Sequence, residues 1–260
     1  MNSKTETMKW AISKLSQLPV RFSPSEKAEM VNQILFGETI EVLDTYQTWK
    51  LIRTTHDHYE GWISTGQITD MLHFTSIEPE PYANLLQSNQ ANVLLQNGSI
   101  IPISMGSAIR SSDHLTTAAR LFLPNTPRDV KTRQSVILDC ARSALGSPYL
   151  WGGRSIFGFD CSGFTQVVFG LAGINLPRDA HEQAKRGVVI DFIDEAAPGD
   201  LAFFDNEEGA ITHVAILTDS KNVIHASGFV RYDSIDHNGI FNQSVGKYSH
   251  KLRIIKRIML

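Results

Sequence analysis

One cysteine in the C-terminal half of the chain has the sequence context that nucleophilic catalysis requires. Cys161 stands in the motif FDCSG, at the first turn of an expected helix. Unpaired backbone N–H groups and the helix dipole favour negative charge there, so we expect a lowered pKa for the Cys161 thiol. The thiolate is the form of cysteine that attacks carbonyl carbon efficiently. This position therefore predicts acyl transfer through a covalent cysteine intermediate.

Two histidines are candidates for the base and for the group that orients the base. His213 begins one predicted strand and His225 ends the next, with a turn near Asp219 between them. In a hairpin, the two histidines lie directly opposite or up to three residues apart, and opposed side chains come within about 5 Å at Cβ. His213 would then take the thiol proton, while His225 accepts its other ring N–H and holds the tautomer.

Zinc held by Cys161, His213 and His225 is the alternative for the same residues, because all three types are suitable ligands. The sequence contains neither a CxxC pair nor an HExxH motif that would support a metal site. We therefore expect no metal and no cofactor.

Composition excludes several classes of protein. The chain has 260 residues, two cysteines and a formal net charge of −3. Two cysteines are too few for a disulfide-stapled scaffold, and Cys140 lies on the apolar face of a predicted helix, where a structural role is expected. The small net charge argues against a nucleic-acid partner or a polybasic membrane anchor. We expect a monomer with neither partner.

The N-terminal residues bear on localisation. A secretory leader has an apolar core of about 7–15 residues, and the first 20 residues contain no such core. We therefore expect a cytoplasmic protein. A periplasmic or extracellular location is the alternative if a leader was trimmed.

The elements that must position Cys161 and the histidines follow from the C-terminal half. Apolar residues at helical spacing predict a helix over residues 136–145, ended by Gly146 and Pro148, and a second helix from Cys161 to Gly173. Strands are predicted over residues 200–204, 213–217, 222–226 and 251–255. Helices followed by strands predict an α+β domain with an antiparallel sheet.

The N-terminal third is β-rich, with short alternating segments separated by turns. The order VRFSPSE, GETIEVLD, WKLIRT and YEGWI, over about residues 18–68, resembles a bacterial SH3-like domain. Residues 77–82 contain two prolines and read as a linker. We therefore divide the chain into an SH3-like barrel over 1–76, a second, degenerate SH3-like module or linker region over 77–129, and a catalytic domain over 130–260.

Six motifs of the C-terminal half identify a family. They are SPYLWGG, FDCSGF, LPRDAHEQ, PGDLAFF, THVAIL and VIHASG, and in this order they resemble the NlpC-type cell-wall cysteine peptidases. The resemblance implies a papain-like α+β catalytic domain, in which an antiparallel sheet packs on helices, behind one or two small SH3-like barrels. It implies that Cys161 is the nucleophile, His213 the general base and His225 the third member, and that Tyr149 faces the nucleophile.

The same resemblance implies which residues contact substrate. Trp151 matches an aromatic residue that lines the substrate site, and Asp160 and Ser162 flank the nucleophile as substrate contacts. Asp179 matches an acid that binds the free α-amine of L-Ala in γ-D-glutamyl-L-diamino acid endopeptidases. Many relatives have a serine after this acid; Ala180 stands there in this chain, so a side-chain contact is lost.

The SH3-like region of such enzymes closes one end of the substrate groove. Tyr59 matches the tyrosine of that region, and Glu29 is our choice for its acid, with Glu26 as the competitor. Ordinary structural roles are the alternatives: Tyr59 as barrel core, Glu29 as a solvated surface residue and Asp179 as a helix cap. The remaining histidines are expected on the surface or in loops: His56, His58, His73, His114, His181, His237 and His250.

Together these residues predict a cysteine endopeptidase for peptidoglycan stem peptides. It would cut between γ-D-Glu and the diamino acid, meso-diaminopimelate or Lys, in muropeptides with a free N-terminal L-Ala, and serve cell-wall recycling. Three alternatives remain: a wall-binding protein with an inactive peptidase domain, an N-acetylmuramoyl-L-alanine amidase, and an acyltransferase. The last usually places the histidine before the cysteine, the reverse of the order here.

Overall fold

The structure is a computed structural model that describes residues 9–71, 85–95, 97–109, 120–122 and 132–258. The proposed linker over 77–82, His73 and His114 lie outside the described residues. Within this part of the chain, no helix is both long and apolar enough to span a membrane.

The N-terminal region is one antiparallel sheet of seven strands. They are β1 (Lys9–Ser13), β2 (Gln17–Arg21), β3 (Met30–Leu35), β4 (Thr39–Tyr46), β5 (Trp49–Thr54), β6 (Glu60–Ser64) and β7 (Ile68–Met71). Their order is β3-β2-β6-β5-β4-β1-β7, and a single 3-10 turn, Thr65–Gln67, precedes β7. Side chains alternate along each strand, so Leu18, Ile34, Ile52 and Ile63 share one fully buried core.

A three-stranded sheet follows, made of β8 (Gln90–Leu94), β9 (Ile100–Ser104) and β10 (Arg120–Phe122). Its buried residues Val93 and Ile103 pack with Ile12 and Phe36 of the N-terminal region. The middle segment therefore shares a core with the first sheet. Its assignment as a degenerate SH3-like module stays a prediction.

The C-terminal region combines helices with a larger sheet. Its elements are α1 (Arg133–Ser143), β11 (Arg154–Ser155), β12 (Gly158–Phe159), α2 (Cys161–Leu171), α3 (Ala180–Gln183), β13 (Val188–Ile190), a 3-10 turn (Ile193–Glu195), β14 (Leu201–Asp205), β15 (Ile211–Asp219), β16 (Asn222–Ser227), β17 (Phe229–Asp236), β18 (Gly239–Asn242) and β19 (Lys247–Arg257). The seven strands from β13 onward form one sheet in the order β13-β19-β14-β15-β16-β17-β18. Because β18 also pairs with β19, strands β14 to β19 form a closed ring.

The alternation of side chains along β15 decides what each face of this sheet contacts. Val214 and Ile216 pack with Phe164 and Val168 of α2, whereas Ala215 and Leu217 belong to a second core inside the ring. Burying each large apolar side chain of this kind contributes about 1.5–3 kcal/mol. The packing therefore fixes α2, which begins at Cys161, against β15, which contains His213.

The predicted α+β architecture is confirmed, with both helices and all four strands close to their expected places. Strands β13, β17 and β18 were not predicted. Strand β17 has the sequence FVRYDSID, in which apolar and polar residues do not alternate regularly. Such a pattern does not distinguish a strand from a loop.

Candidate active site

Asp160 organises the start of helix α2. It is the N-cap residue, and its Oδ1 accepts a hydrogen bond from the Gly163 backbone N–H at 2.6 Å. Its Oδ2 accepts a second bond from the Gly152 N–H at 2.8 Å. These bonds satisfy donors that a helix start and a tight loop leave unpaired.

Arg178 is the buried partner of that carboxylate. Its Nη1 donates to Asp160 Oδ1 at 3.0 Å and to Ser162 Oγ at 2.9 Å, its Nη2 donates to Asp160 Oδ2, and its Nε donates to Asn32 Oδ1 at 2.9 Å. Asp160 and Ser162 are thus engaged by the protein itself, so the structure makes them positioning residues. Their contact with substrate stays a prediction.

The Cys161 thiol lies against the backbone on both sides of His213. Its Sγ is 4.0 Å from the Thr212 carbonyl oxygen, and the Val214 backbone N–H donates to it. The ladder between β15 and β16 includes Ile216 but none of these three residues of β15. The nucleophile candidate therefore meets β15 where that strand separates from β16.

The pKa of Cys161 shifts in the direction opposite to the one expected at a helix start. Burial, and after it the Asp160 carboxylate, raises the pKa to about 12. The Val214 N–H, the Arg178 charge and the Ser162 N–H lower it by less. An N-cap carboxylate supplies negative charge beside the thiol and takes one of the helix-start donors, so the dipole no longer decides the shift. Burial and the Asp160 charge therefore favour the neutral thiol.

His213 and His225 form a chain of hydrogen bonds that ends at Asp233. His213 Nε2 is 2.8 Å from His225 Nδ1, and His225 Nε2 is 3.0 Å from Asp233 Oδ2. A carboxylate only accepts, so His225 carries its proton on Nε2 and accepts at Nδ1. His213 then donates from Nε2. Its Nδ1 keeps a lone pair and is the nitrogen that can act as a base.

The hairpin register and the burial explain the state of these histidines. Ile216 pairs with Ile224, which lies inside the predicted range of registers and leaves His213 and His225 two positions from direct opposition. Burial lowers the pKa of His213 well below its ordinary value, and the neighbouring His250 lowers it further. Burial also lowers the pKa of His225, although Asp233 opposes that shift. Both rings are therefore neutral near neutral pH.

Tyr149 lies beside the thiol, where the sequence places it. Its backbone N–H donates to the Gly228 carbonyl at 3.0 Å, and it pairs with Phe159 next to the N-cap of α2. Burial raises the pKa of its hydroxyl to about 12, and the Cys161 thiol adds to that shift. The hydroxyl thus keeps its proton and can donate a hydrogen bond.

A cavity of about 240 Å³ opens in front of this group, lined by Tyr149, Thr212, His213, Ala226, Ser227, Gly228 and His250. The ring of His250 stacks on that of His213, with centroids 4.1 Å apart and planes at 25°. Burial lowers the pKa of His250 to about 4. The expected surface role of His250 is therefore wrong.

Asp179 and Tyr59 come from different regions of the chain and lie near each other, close to Arg178 and Asp160. Asp179 is the N-cap residue of α3, but its side chain makes no cap hydrogen bond. Burial raises its pKa, and the Arg178 charge opposes that shift. Burial likewise raises the pKa of Tyr59 to about 12, and Asp179 is the largest electrostatic contribution to it. A half-buried carboxylate therefore lies beside a phenol, near the Asp160–Arg178 pair.

The SH3-like region also reaches Trp151. Trp151 Nε1 donates to Glu29 Oε1 at 2.6 Å, and the residue stays 59% exposed. The competing acid, Glu26, lies instead near Arg21, at 3.7 Å. The structure thus places Glu29, rather than Glu26, beside a predicted substrate-lining residue.

Sequence reasoning missed the polar contacts that join the two regions. Arg154 is buried and donates to the Gln33 carbonyl at 2.7 Å and to both carboxylate oxygens of Glu38 at 3.0 Å. Gln166 of α2 donates to Asp57 Oδ2 at 2.6 Å. Burial opposes ionisation of Asp57, but nearby cations and donors outweigh it and lower its pKa to about 2. The N-terminal region is thereby held against the helix that carries Cys161.

The sequence analysis also did not single out Arg178, Asp233 and Asn32, which hold the proposed site residues in place. Arg178 stands in the LPRDAHEQ motif, directly before Asp179. A positive charge next to a predicted ligand-binding acid was the sequence signal that could have identified it. Asp233 lies on the unpredicted strand β17, and Asn32 is fully buried among the apolar residues of β3. Their roles depend on partners more than 100 residues away, or on strand pairing.

Two family models match the chain. The model described as the NlpC/P60 family matches residues 146–249, and the model described as the bacterial dipeptidyl-peptidase SH3 domain matches residues 20–68. The first match contains every predicted site residue from Tyr149 to His225, and the second contains Glu29 and Tyr59.

Curated relatives match most of the chain. A γ-D-glutamyl-L-lysine dipeptidyl-peptidase of Bacillus subtilis is 31% identical over 211 residues, which cover 75% of this chain and 71% of the relative. An enzyme of the same name from Bacillus cereus is 27% identical over 246 residues, covering 84% of this chain and 73% of the relative.

A solved structure shares the architecture. It is an NlpC/P60 family protein from Bacillus cereus, with a TM-score of 0.73 and 20% sequence identity, and the match covers 95% of this chain and 99% of the other. This likeness concerns the fold. It confirms the expected combination of a papain-like domain with an SH3-like region.

Proposed function

The chain belongs to the NlpC/P60 family of cysteine peptidases, and we propose that it hydrolyses the bond between γ-D-Glu and the diamino acid in peptidoglycan stem peptides with a free N-terminal L-Ala. One observation supports the substrate class. Glu29 of the SH3-like region accepts a hydrogen bond from Trp151, and Tyr59 of the same region lies by Asp179. We infer from these contacts that the SH3-like region closes one end of the site.

The charges at the closed end favour an ammonium group. Asp179 is half-buried, its pKa is raised, and its side chain makes no cap hydrogen bond to the helix it precedes. A cation with N–H donors satisfies such a carboxylate best. The α-amine of L-Ala supplies that cation, two residues before the bond that would be cut.

The proposed reaction begins from a neutral pair. His213 Nδ1 takes the proton of the Cys161 thiol while Sγ attacks the γ-carbonyl carbon, and a tetrahedral intermediate forms. The Tyr149 hydroxyl and the Cys161 backbone N–H donate to its oxyanion. His213 then gives the proton to the departing amine of the diamino acid, which leaves a thioester.

The second half of the reaction repeats the proton transfers. His213 removes a proton from water, whose oxygen attacks the thioester carbon. The proton then returns to the Cys161 sulfur as the carbon–sulfur bond breaks. Asp233 holds the His225 tautomer throughout, so each transfer uses the same nitrogen of His213.

Closure of the site at the L-Ala amine distinguishes this activity from that of an amidase, which needs room for sugar upstream of L-Ala. A site closed in this way accepts only peptides that have already been released from the glycan. We therefore propose that the enzyme acts in recycling of wall peptides and in the cytoplasm, where imported peptides would be trimmed.

Hydrolysis of defined peptides tests the function. The substrates are L-Ala-γ-D-Glu-L-Lys and L-Ala-γ-D-Glu-meso-diaminopimelate, each with a free and an acetylated N-terminus, and Cys161→Ala is the inactive control. We expect release of the L-Ala-γ-D-Glu dipeptide from the free-amine forms alone. Equal cleavage of acetylated peptides would contradict amine recognition. Cleavage of none of the four would contradict the substrate class.

A further inference from the structure

Three histidines meet beside the cavity, and the proposed reaction uses only two of them. The ligand nitrogens of His213, His225 and His250 all lie within 4.8 Å of one another. The three residues come from β15, β16 and β19, so the closed sheet brings them together. His213 and His225 are buried, and His250 is partly exposed at the cavity.

The surroundings of these rings match those of a metal-binding histidine set. A metal-ligating histidine commonly donates its other N–H to a carboxylate, and His225 Nε2 lies 3.0 Å from Asp233 Oδ2. Arg231 Nε donates to the same oxygen at 2.8 Å and holds that carboxylate in place. His250 Nδ1 is 2.8 Å from Ser249 Oγ, which would leave Nε2 as its ligand atom.

The distances permit a small divalent ion. Zinc–nitrogen bonds of about 2.0–2.1 Å in a tetrahedral site place ligand nitrogens about 3.3 Å apart. His213 Nε2 and His225 Nδ1 are now 2.8 Å apart and point at each other. To bind one ion, the two rings must separate by about half an ångström and tilt toward a common point, and the partly exposed His250 must close in. The cavity provides an entry path and room for water as the fourth ligand.

We propose that His213, His225 and His250 bind a divalent transition-metal ion, with Zn²⁺ as the probe, and that this ion inhibits the peptidase reversibly. The ion would take the lone pair of His225 Nδ1, which now accepts the His213 proton. His213 must then release Nε2 for the metal, and its ring proton moves to Nδ1. Nδ1 can no longer accept the thiol proton, so the base is lost without any covalent change.

Calorimetry on the thiol-free enzyme tests the binding. We titrate ZnCl₂ into Cys161→Ala, which keeps the three histidines but removes the thiolate as a competing ligand. We expect one ion per chain. In this background His250→Phe, which retains an aromatic ring on His213, should weaken binding by at least about tenfold. His237→Phe changes an exposed histidine elsewhere on the chain and should leave binding unchanged.

Two results would overturn the site. One is zinc affinity in the Cys161→Ala background that His250→Phe leaves unchanged. The other is binding to the wild-type enzyme that disappears in Cys161→Ala, since this places the ion on the thiol. Nitrogen NMR of the histidines adds a direct readout, because the His213 proton should move from Nε2 to Nδ1 when zinc binds.

Inhibition is the second measurement, and this part rests on the proposed function. ZnCl₂ should block hydrolysis of L-Ala-γ-D-Glu-L-Lys, EDTA should restore it, and His250→Phe should raise the inhibitory concentration by the same factor as the dissociation constant. A loss of binding without a change in inhibition would contradict the proposal. Calorimetry measures zinc binding without any substrate. Failure of the proposed peptidase activity can therefore be distinguished from failure of the zinc site.

Discussion

The starts of α2 and α3 each present an aspartate at the N-cap, and the fold uses the two side chains in opposite ways. Asp160 accepts from Gly163 and pairs with the buried Arg178, so its carboxylate is fully engaged. Asp179 makes no cap hydrogen bond, and burial raises its pKa. The first acid builds the backbone that carries the nucleophile. The second makes no cap hydrogen bond, so its carboxylate is available to a ligand.

The largest effect removes the reaction while leaving both helix starts intact. Cys161→Ala should lower kcat/KM by about ten-thousand-fold or more, because no other group forms the acyl intermediate. Calorimetry should still detect binding of the uncleaved free-amine peptide at the Asp179 end. Cys140→Ala is the matched control: Cys140 is buried in α1, so turnover should persist. Turnover by Cys161→Ala close to that of wild type would remove the thiol from the mechanism.

The second effect tests the engaged aspartate. Asp160→Asn leaves the buried Arg178 charge without its partner, and we expect the free energy of unfolding to fall by about 3 kcal/mol or more. Asp179→Asn should instead raise it slightly, since folding disfavours the charged form of this acid. Urea unfolding of both variants measures the contrast. Changes of the same sign would show that the two N-caps are equivalent.

The third effect tests Asp179, the aspartate without a cap hydrogen bond. Asp179→Asn should lower kcat/KM for the free-amine peptide by about thirtyfold, or about 2 kcal/mol, because a buried ammonium loses its partner. Asp191→Asn removes the same charge from an exposed position and should leave the kinetics unchanged. Unchanged kinetics in Asp179→Asn would mean that another group recognises the amine.

The last effect concerns the histidines that face the start of α2. The pKa values of His213 and His225 are lowered, so the unfolded chain takes up protons near pH 6.5 while the fold does not. Stability should therefore be full above that pH and decline below it, by at most about 1.4 kcal/mol per pH unit for each ring.

Thermal unfolding at about pH 7 and about pH 5 measures this decline. In His225→Gln one titrating ring is gone, so the fall in Tm between the two pH values should be smaller than in the wild type. An equal fall in Tm in both proteins would assign the pH dependence to groups other than His225.

The residues proposed for catalysis could be picked out from local sequence, because their chemistry is tied to local motifs. The FDCSG motif places Cys161 at a helix start, and the turn between two short strands brings His213 and His225 within reach of each other. The pKa of Cys161 could not be predicted in the same way. Its direction depends on how deeply the thiol is buried and on where the Asp160 charge lies.

The sequence by itself determined the α+β architecture, the nucleophile candidate and its histidines, since these follow from periodicity, turn residues and spacing within short segments. Only the tertiary structure decided that Arg178 pairs with Asp160, that Glu29 accepts a hydrogen bond from Trp151, and that His250 stacks on His213. Each of these contacts joins residues from different elements. Their partners are set by how the sheets close and pack, and no local pattern encodes that geometry.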